Sequence, residues 1–207
     1  MKNEPSFSKT HQGCTVKHRE RDKNKIVPYK KAWHEQFEIA KCCLLSTLGD
    51  ICVCVDHIGS TSIPDMPAKD RIDIQIGVRE ISPAICNTIN QRISKLNLPN
   101  AYMSQDHLPP NESCRADWRK IYLQGVTEQW SFKANIHIRK IDAKNFKYAL
   151  LFRDYLSIDD DTAKAYTIFK QTLATQIPDD RDLYSQLKDP VCDLIMISAR
   201  RWHDQTM

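Results

Sequence analysis

The stretch His57–Val78, HIGSTSIPDMPAKDRIDIQIGV, decides the fold, because only here do glycine, hydroxyls and carboxylates meet between two apolar runs. Upstream, ICVCV (51–55) is typical of a short β-branched strand. Downstream, IDIQIGV (72–78) alternates apolar and polar residues, as a strand with one buried face does. The segment between them is therefore predicted to be an anion-binding loop joining two strands.

This loop has the composition of a phosphate-binding turn. Gly59 tolerates a positive φ, and hydroxyls and backbone N–H groups lie beside it at Ser60, Thr61 and Ser62. Asp73 then follows in an apolar strand. The same order occurs at nucleotidyltransferase active sites, where a Gly-Ser turn holds a triphosphate and strand carboxylates hold magnesium. The alternative is an ordinary polar hairpin loop, which Gly-Ser alone favours because such turns are common.

Longer motifs are more specific than the turn. The phrase GSTSIPDMPAKDRIDIQIGV (59–78) closely resembles the signature of the GrpB family, which is placed in the nucleotidyltransferase superfamily. The family's later blocks are matched in order by DHLPP, DWRKIYL, NIHIRK, NFKYALLFRDYL, AYTIFKQTLA, KDPVCDLI and ARRW. The resemblance spans about Ile26 to Trp202. It implies an α+β fold: a nucleotidyltransferase-like mixed β-sheet with flanking helices and a C-terminal helical subdomain.

The candidate metal ligands lie on or near the second strand. Asp73 matches the family pattern and is the first candidate for catalysis and for binding Mg²⁺ or Mn²⁺. Residues 71, 73 and 75 share a strand face, so Gln75 lies where typical nucleotidyltransferases place a second acid. Glutamine offers a carbonyl oxygen but no charge, which weakens the case for a full two-metal transferase. Asp70 either reaches the metal from the loop or stabilises the turn.

The later blocks supply further candidates. His137 lies where the superfamily often supplies a third acid. His137 could serve as a metal ligand or catalytic base. A hydrogen-bonded, half-buried structural histidine fits the sequence about equally well. Arg139, on the same face, suits bidentate phosphate binding. The resemblance makes Arg153 and Lys170 candidate triphosphate contacts, although in isolation they are typical surface charges. Lys69, just before the strand, is another phosphate ligand candidate.

The elements around this loop follow from periodicity. Apolar residues at threes and fours predict a helix over 29–48, and Ser82 followed by Pro83 predicts the start of another. Residues 99–117 predict a long loop, in which Asp106 and His107 are either substrate contacts or part of an Asx turn. Two strands joined through Gly125 and three helices are expected after it, at 118–124, 132–140, 144–156, 162–174 and about 189–202.

Length and charge predict one globular domain with a separate tail. The 207 residues, 41% hydrophobic and 27% charged, suffice for one sizeable core. Residues 1–25 hold seven Lys/Arg against three Asp/Glu, whereas the rest holds 23 of each. We therefore predict a disordered basic tail over 1–25 and a domain over 26–207, with its sheet part at about 26–141 and its helical part at about 142–207.

Composition also bears on the compartment. No apolar stretch has secretory or membrane-spanning length, and the eight cysteines lack zinc spacing. We expect a cytoplasmic protein whose cysteines are small, reduced core residues.

Two hypotheses of function follow. The first is a metal-dependent nucleotidyltransferase that binds a nucleoside triphosphate, or a related phosphorylated small molecule, and transfers a nucleotidyl group to an unknown acceptor. The second is a catalytically weak or inactive nucleotide- or coenzyme-binding module. The single strand carboxylate favours this second hypothesis, and some relatives join the domain to a dephospho-coenzyme A kinase. Nucleic-acid binding through the basic tail is a weaker third idea, and no membrane partner is expected.

Overall fold

The computed structural model describes residues 24–127 and 129–206. Its strands are β1 (Ile26–Val27), β2 (Cys54–Ile58), β3 (Ala68–Lys69), β4 (Ile72–Val78), β5 (Tyr102–Gln105), β6 (Arg119–Thr127) and β7 (Trp130–Lys140). Five of them form a mixed sheet in the order β2-β4-β7-β6-β5, and β1 pairs with β3 separately. Within the sheet, β4 and β7 are parallel and the other neighbours are antiparallel.

The alternation along β4 separates two layers. Ile72, Ile74 and Ile76 are fully buried in a core with helices α1 (Ala32–Leu48) and α2 (Pro83–Ile93). The buried residues of α1 are the ones predicted from the spacing: Trp33, Phe37, Ala40, Leu44 and Leu48. The predicted helix start is also confirmed, because the Ser82 hydroxyl accepts a hydrogen bond from the backbone N–H of Ile85 at 3.3 Å.

Three helices form the C-terminal part: α3 (Lys144–Leu156), α4 (Asp160–Gln176) and α5 (Arg181–Thr206). They share a second apolar cluster, to which the loop between β2 and β3 contributes Ile63 and Met66. The Gly-Ser loop is therefore anchored to the helical part as well as to the sheet. The predicted α+β class, a mixed sheet with flanking helices followed by a helical half, is confirmed.

Two element boundaries were predicted wrongly. The strand predicted at 51–55 is β2, and it begins at Cys54 rather than Ile51, because Gly49 adopts φ 53° and a 3₁₀ turn over Gly49–Ile51 follows α1. The last helix begins at Arg181 rather than near Asp189. Pro190 lies inside it, although a proline normally marks a helix boundary in sequence.

The segment 99–117 is not a continuous loop. It contains the edge strand β5, and a 3₁₀ turn begins at Arg115. With four residues, β5 is too short and too polar for its sequence to show the alternation of a strand, so only its pairing with β6 reveals it. Gly125 lies inside β6 rather than in the connection to β7, and a Cβ there would lie 2.8 Å from Pro99 Cδ.

Several other predictions meet the structure at single residues. Cys86 and Cys192 are buried as predicted, but Cys42 and Cys114 are exposed, so the core assignment was wrong for these two. Asn24, assigned to the tail, is buried, and its N–H donates to Pro178 O at 2.7 Å. The tail's residues 1–23 lie outside the described residues. In the described part of the chain, no helix has the length and apolarity needed to cross a membrane.

Candidate functional site

A cleft of about 960 Å³ lies between the polar face of the sheet and helices α3, α4 and α5. It brings together most of the predicted site residues: Gly59, Ser60, Thr61, Lys69, Asp70, Asp73, His137, Arg139 and Lys170. Ser62, Gln75 and Arg153 are not among the lining residues. The strand order explains the convergence, because β2, β4 and β7 are neighbours and place the Gly-Ser turn, Asp73 and His137 side by side.

The Gly-Ser turn lies directly against Asp73. Gly59 adopts φ 69°, and a Cβ at this position would lie 2.5 Å from Asp73 Oδ2. Within the turn, the Ser62 hydroxyl donates to Gly59 O at 2.6 Å, and Thr61 Oγ1 lies 3.0 Å from His57 Nε2. These two hydroxyls therefore hold the turn in shape, whereas Ser60 faces a cleft cation.

Two cations from the helical part hold this turn from different sides. Lys170 Nζ donates to Ser60 Oγ and to Pro67 O, both at 2.8 Å, from inside the cleft. Arg153 Nη1 donates to His57 O at 3.0 Å, and its Nε donates to Asp154 Oδ1. Arg153 thus contacts the backbone just before the turn, outside the cleft lining.

Asp73 is held as an ionised carboxylate. Its Oδ1 accepts from Asn135 Nδ2 at 2.7 Å and lies 3.7 Å from His137 Nε2. Burial by itself raises the pKa of Asp73, but the interactions with His137 and Asn135 outweigh burial and lower it. Tyr122 fixes the orientation of the amide, because its hydroxyl donates to Asn135 Oδ1 at 2.9 Å.

The surroundings of His137 determine its tautomer. Nδ1 lies 3.2 Å from Lys120 Nζ and 3.4 Å from Arg139 Nη2, and both of these groups are donors only. Nδ1 therefore accepts, and the ring hydrogen is on Nε2, which faces Asp73. Burial and the charge of Lys120 lower the pKa of His137 to about 4, so the ring is neutral at pH 7. In this state His137 directs a donor at Asp73.

Asp106, which directly follows β5, is the centre of a buried ionic network. It accepts from Arg139 Nε at 2.7 Å and from Lys120 Nζ at 2.5 Å. Arg139 Nη1 in turn donates to Gln75 Oε1 at 2.5 Å, and Gln75 Nε2 donates to Phe146 O. Gln75 is fully buried. Its carbonyl oxygen, predicted as a metal ligand, is thus occupied by a guanidinium.

Sequence reasoning missed part of this arrangement. It left the role of Asp106 open and did not name Asn135 or Lys120 as site residues. The alternation of β7 does place Asn135 on the face of His137, which was an available signal. Lys120 gave no comparable signal, because only the register of β6 against β7 brings it beside His137.

Asp70 lies at the edge of the cleft. Its Oδ2 accepts from Lys30 Nζ at 2.7 Å and its Oδ1 from Trp33 Nε1 at 3.0 Å. Its side chain is about half exposed, at 51%. These partners tie the short connection before β4 to α1 and to the segment just before α1, so Asp70 has a structural role.

The cleft is strongly cationic. Among the described residues it is lined by four Asp, no Glu and ten Lys/Arg: Lys25, Lys30, Lys69, Arg71, Lys120, Lys133, Arg139, Lys170, Arg181 and Lys188. Burial and the charge of Lys188 lower the pKa of Lys170 to about 7. Burial and the charge of Arg181 lower the pKa of Lys69 to about 8. Clustered cations of this kind favour a polyanionic ligand, which would restore their charge.

Comparison with known proteins identifies the family. The family model described as GrpB protein matches residues 23–197. UPF0157 protein YqkA of Bacillus subtilis is 31% identical over 180 residues, which is 87% of this chain and 48% of the relative. A dephospho-CoA kinase of Mycolicibacterium paratuberculosis is 27% identical over 198 residues, or 88% of this chain and 47% of the kinase. The chain thus spans about half the length of these two curated relatives.

A solved structure shows the same fold. The crystal structure of conserved protein GrpB from Enterococcus faecalis aligns with a TM-score of 0.66 and 26% identity, covering 86% of this chain and 99% of that one. The family match extends over most of the described residues and includes the Gly-Ser turn, Asp73 and the strands that carry Asn135 and His137. This chain belongs to the GrpB family.

Proposed function

We propose that the cleft binds a nucleoside triphosphate or a related polyphosphorylated small molecule. The observation that carries the proposal is the meeting of the Gly59–Ser60 turn, the buried Lys170 and the ionised Asp73 in one cationic cleft. The turn offers backbone N–H groups, Lys170 offers a charge beside them, and Arg139 and Lys69 line the same cleft.

The residues fit one magnesium or manganese ion that arrives on the phosphates. Magnesium is often bound by one or two carboxylates together with substrate phosphates and water, and Asp73 supplies one such carboxylate. The described residues contain no group of three or more His, Cys, Asp or Glu able to hold a metal ion. Gln75 is bound to Arg139, so it does not replace a second acid. When bound, the ion would neutralise phosphate charge and orient the group to be transferred.

Nucleotidyl transfer is the reaction proposed for this site, with an acceptor still to be identified. Asp73 would hold the ion, and the turn with Lys170 would hold the phosphates. His137, neutral and donating toward Asp73, would keep that carboxylate ionised and oriented. The same geometry favours a second candidate, a nucleotide- or coenzyme-binding module without turnover, because Asp73 is the carboxylate that lies against the turn and Gln75 is buried in the protein.

Asp73→Asn tests the proposal directly. We expect the wild type to gain about 2.7 kcal/mol of stability from one of the four nucleoside triphosphates with Mg²⁺ at 100 times its dissociation constant. The variant should lose this gain, because an amide binds the ion poorly. Asp70→Asn is the matched control and should keep most of it. A thermal-shift series measures both, and parallel assays of triphosphate consumption separate the transferase from the binding module. Equal shifts in wild type and Asp73→Asn would contradict the site assignment.

The lysine pKa values predict a pH dependence. In the free protein, Lys170 and Lys69 lose charge as the pH rises through about 7 and about 8. A bound polyanion raises both pKa values, so binding takes up protons and affinity falls between about pH 7.5 and 9.5, where phosphate itself is already fully ionised. Calorimetry in buffers of different ionisation enthalpy measures the number of protons taken up on binding. Lys170→Met should reduce the uptake, whereas Lys164→Met, on the exposed side of α4, should leave it unchanged. Affinity independent of pH over this range would refute the assignment of Lys170.

A further inference from the structure

The cleft has an aromatic end and a cationic end. The aromatic end lies where β7 finishes and β6 begins, and is lined by Trp118, Tyr148 and Phe152. The Trp118 and Tyr148 rings meet edge to face at 5.6 Å, and the Tyr148 and Phe152 rings lie parallel at 6.4 Å. Trp118 and Phe152 are buried and pack against Tyr148, which is half-buried, so Tyr148 is the ring of this group that a ligand can reach.

The cationic end lies on the other side of Asp73. Arg71 comes two residues before Asp73, and Lys133 two residues before Asn135, at the start of the parallel pair β4 and β7. Arg181, the first residue of α5, reaches this end over the sheet, where its Nη1 donates to Gln124 Oε1 at 3.1 Å. This end is therefore formed by the N-terminal ends of two strands and of one helix.

Strand pairing places Arg181 away from the Gly-Ser turn. Gln124 on β6 pairs with Asn135 on β7, which pairs with Asp73 on β4, so the backbone of Gln124, the partner of Arg181, lies roughly 9–10 Å across the sheet from that of Asp73. The turn follows β2, on the opposite side of β4. Asp73 thus lies between the turn with Lys170 on one side and Arg181 on the other.

Two cations that line this end, Arg181 and Lys69, have neutral hydrogen-bond partners. Hydrogen bonds tie Arg181 to the neutral amide of Gln124 and Lys69 to that of Asn24, at 2.8 Å. The Lys69 ammonium also lies 3.7 Å from the centroid of the Tyr184 ring. Neutral partners orient these two cations without neutralising them.

We propose that this end is a second anion site, bounded by Arg181 and Lys69, that binds the phosphate of a small phosphorylated acceptor. The inference rests on the proposed function and adds the chemical class of the acceptor. An oxygen of the acceptor would form a bond to the α-phosphorus of the triphosphate, the bond from that phosphorus to the bridging oxygen would break, pyrophosphate would leave, and the acceptor's proton would pass to water. Arg181 and Lys69 would hold the acceptor's own phosphate, which is not altered.

Two simple anions test the two sites separately. Magnesium tripolyphosphate probes the turn with Lys170, and inorganic phosphate, added after tripolyphosphate has saturated the protein, probes the end at Arg181. We expect phosphate to raise the melting temperature further in the wild type. Arg181→Gln should lower the affinity for the added phosphate about tenfold and leave the affinity for tripolyphosphate almost unchanged. Arg201→Gln is the control, since Arg201 is exposed near the far end of the same helix.

The outcomes distinguish the two proposals. A wild type that shows no shift with magnesium tripolyphosphate would overturn the proposed function and this inference with it. A tripolyphosphate shift with no further gain from phosphate would overturn only the second site. An equal loss of affinity for both anions in Arg181→Gln would also overturn the second site, because one shared site would then explain the data.

Discussion

Asp106→Asn is expected to lower the free energy of unfolding by about 3–5 kcal/mol, the usual cost of removing one partner from a buried ion pair. The carboxylate keeps 14% of its side-chain surface exposed, against 7% for Arg139 and 11% for Lys120. An amide at position 106 would leave both cations away from water without their counter-ion. Urea unfolding followed by circular dichroism measures the difference.

The effect has a definite pH dependence. Burial by itself raises the pKa of Asp106, but Arg139 and Lys120 hold it far below its usual range. A lowered folded-state pKa stabilises the protein fully above the unfolded value near 4, and this stabilisation is lost as the pH falls toward the folded value. The difference in free energy of unfolding between wild type and Asp106→Asn should therefore be constant from pH 5 to 7 and become smaller below about pH 4.

A second substitution checks the cause. Lys120→Met in the Asp106→Asn background removes one of the two uncompensated cations, so the double variant should be less destabilised than the sum of the single variants. Two results would show that the network contributes through packing and not through charge. One is that the losses of unfolding free energy in the single variants add up strictly in the double variant. The other is that the difference in unfolding free energy between wild type and Asp106→Asn does not become smaller in acid.

Gly59→Ala is expected to abolish polyphosphate binding and to destabilise the fold. Gly59 has φ 69° and ψ −174°, a conformation that is essentially restricted to glycine and costs a side chain about 1–3 kcal/mol. The new Cβ would also lie 2.5 Å from Asp73 Oδ2, so either the turn or the carboxylate must move. Both groups belong to the proposed site. Unfolding curves measure the strain, and thermal shifts with magnesium triphosphates measure the binding.

Gly49→Ala is the matched control. Gly49 also has a positive φ, 53°, but it follows α1, and within the described part of the chain its Cβ would meet Arg92 Nη1 alone, at 3.4 Å. We expect this variant to lose stability through strain and to retain ligand binding. If Gly59→Ala kept the full ligand shift, the phosphate-binding role of the turn would be wrong, whatever the change in stability.

Local sequence patterns determined much of the fold and several site residues. The period of α1 identified its five buried residues, Ser82 and Pro83 marked the start of α2, and the alternation of β4 and β7 placed Asp73 and His137 on polar faces. These features depend on contacts between near neighbours in the chain, and such contacts leave a period in the sequence.

Pairing between distant segments decided the rest. The parallel register of β4 and β7 sets Asp73 opposite Asn135, and the register of β6 brings Lys120 to His137. The edge strand β5 leads into Asp106, which pairs with Arg139, and Arg139 pairs in turn with Gln75. No period records such pairings, because each is a contact between residues far apart in sequence. The sequence by itself determined the Gly-Ser turn and the strands that carry Asp73 and His137, and the tertiary structure decided which other groups lie beside them, because only strand pairing brings those distant segments together.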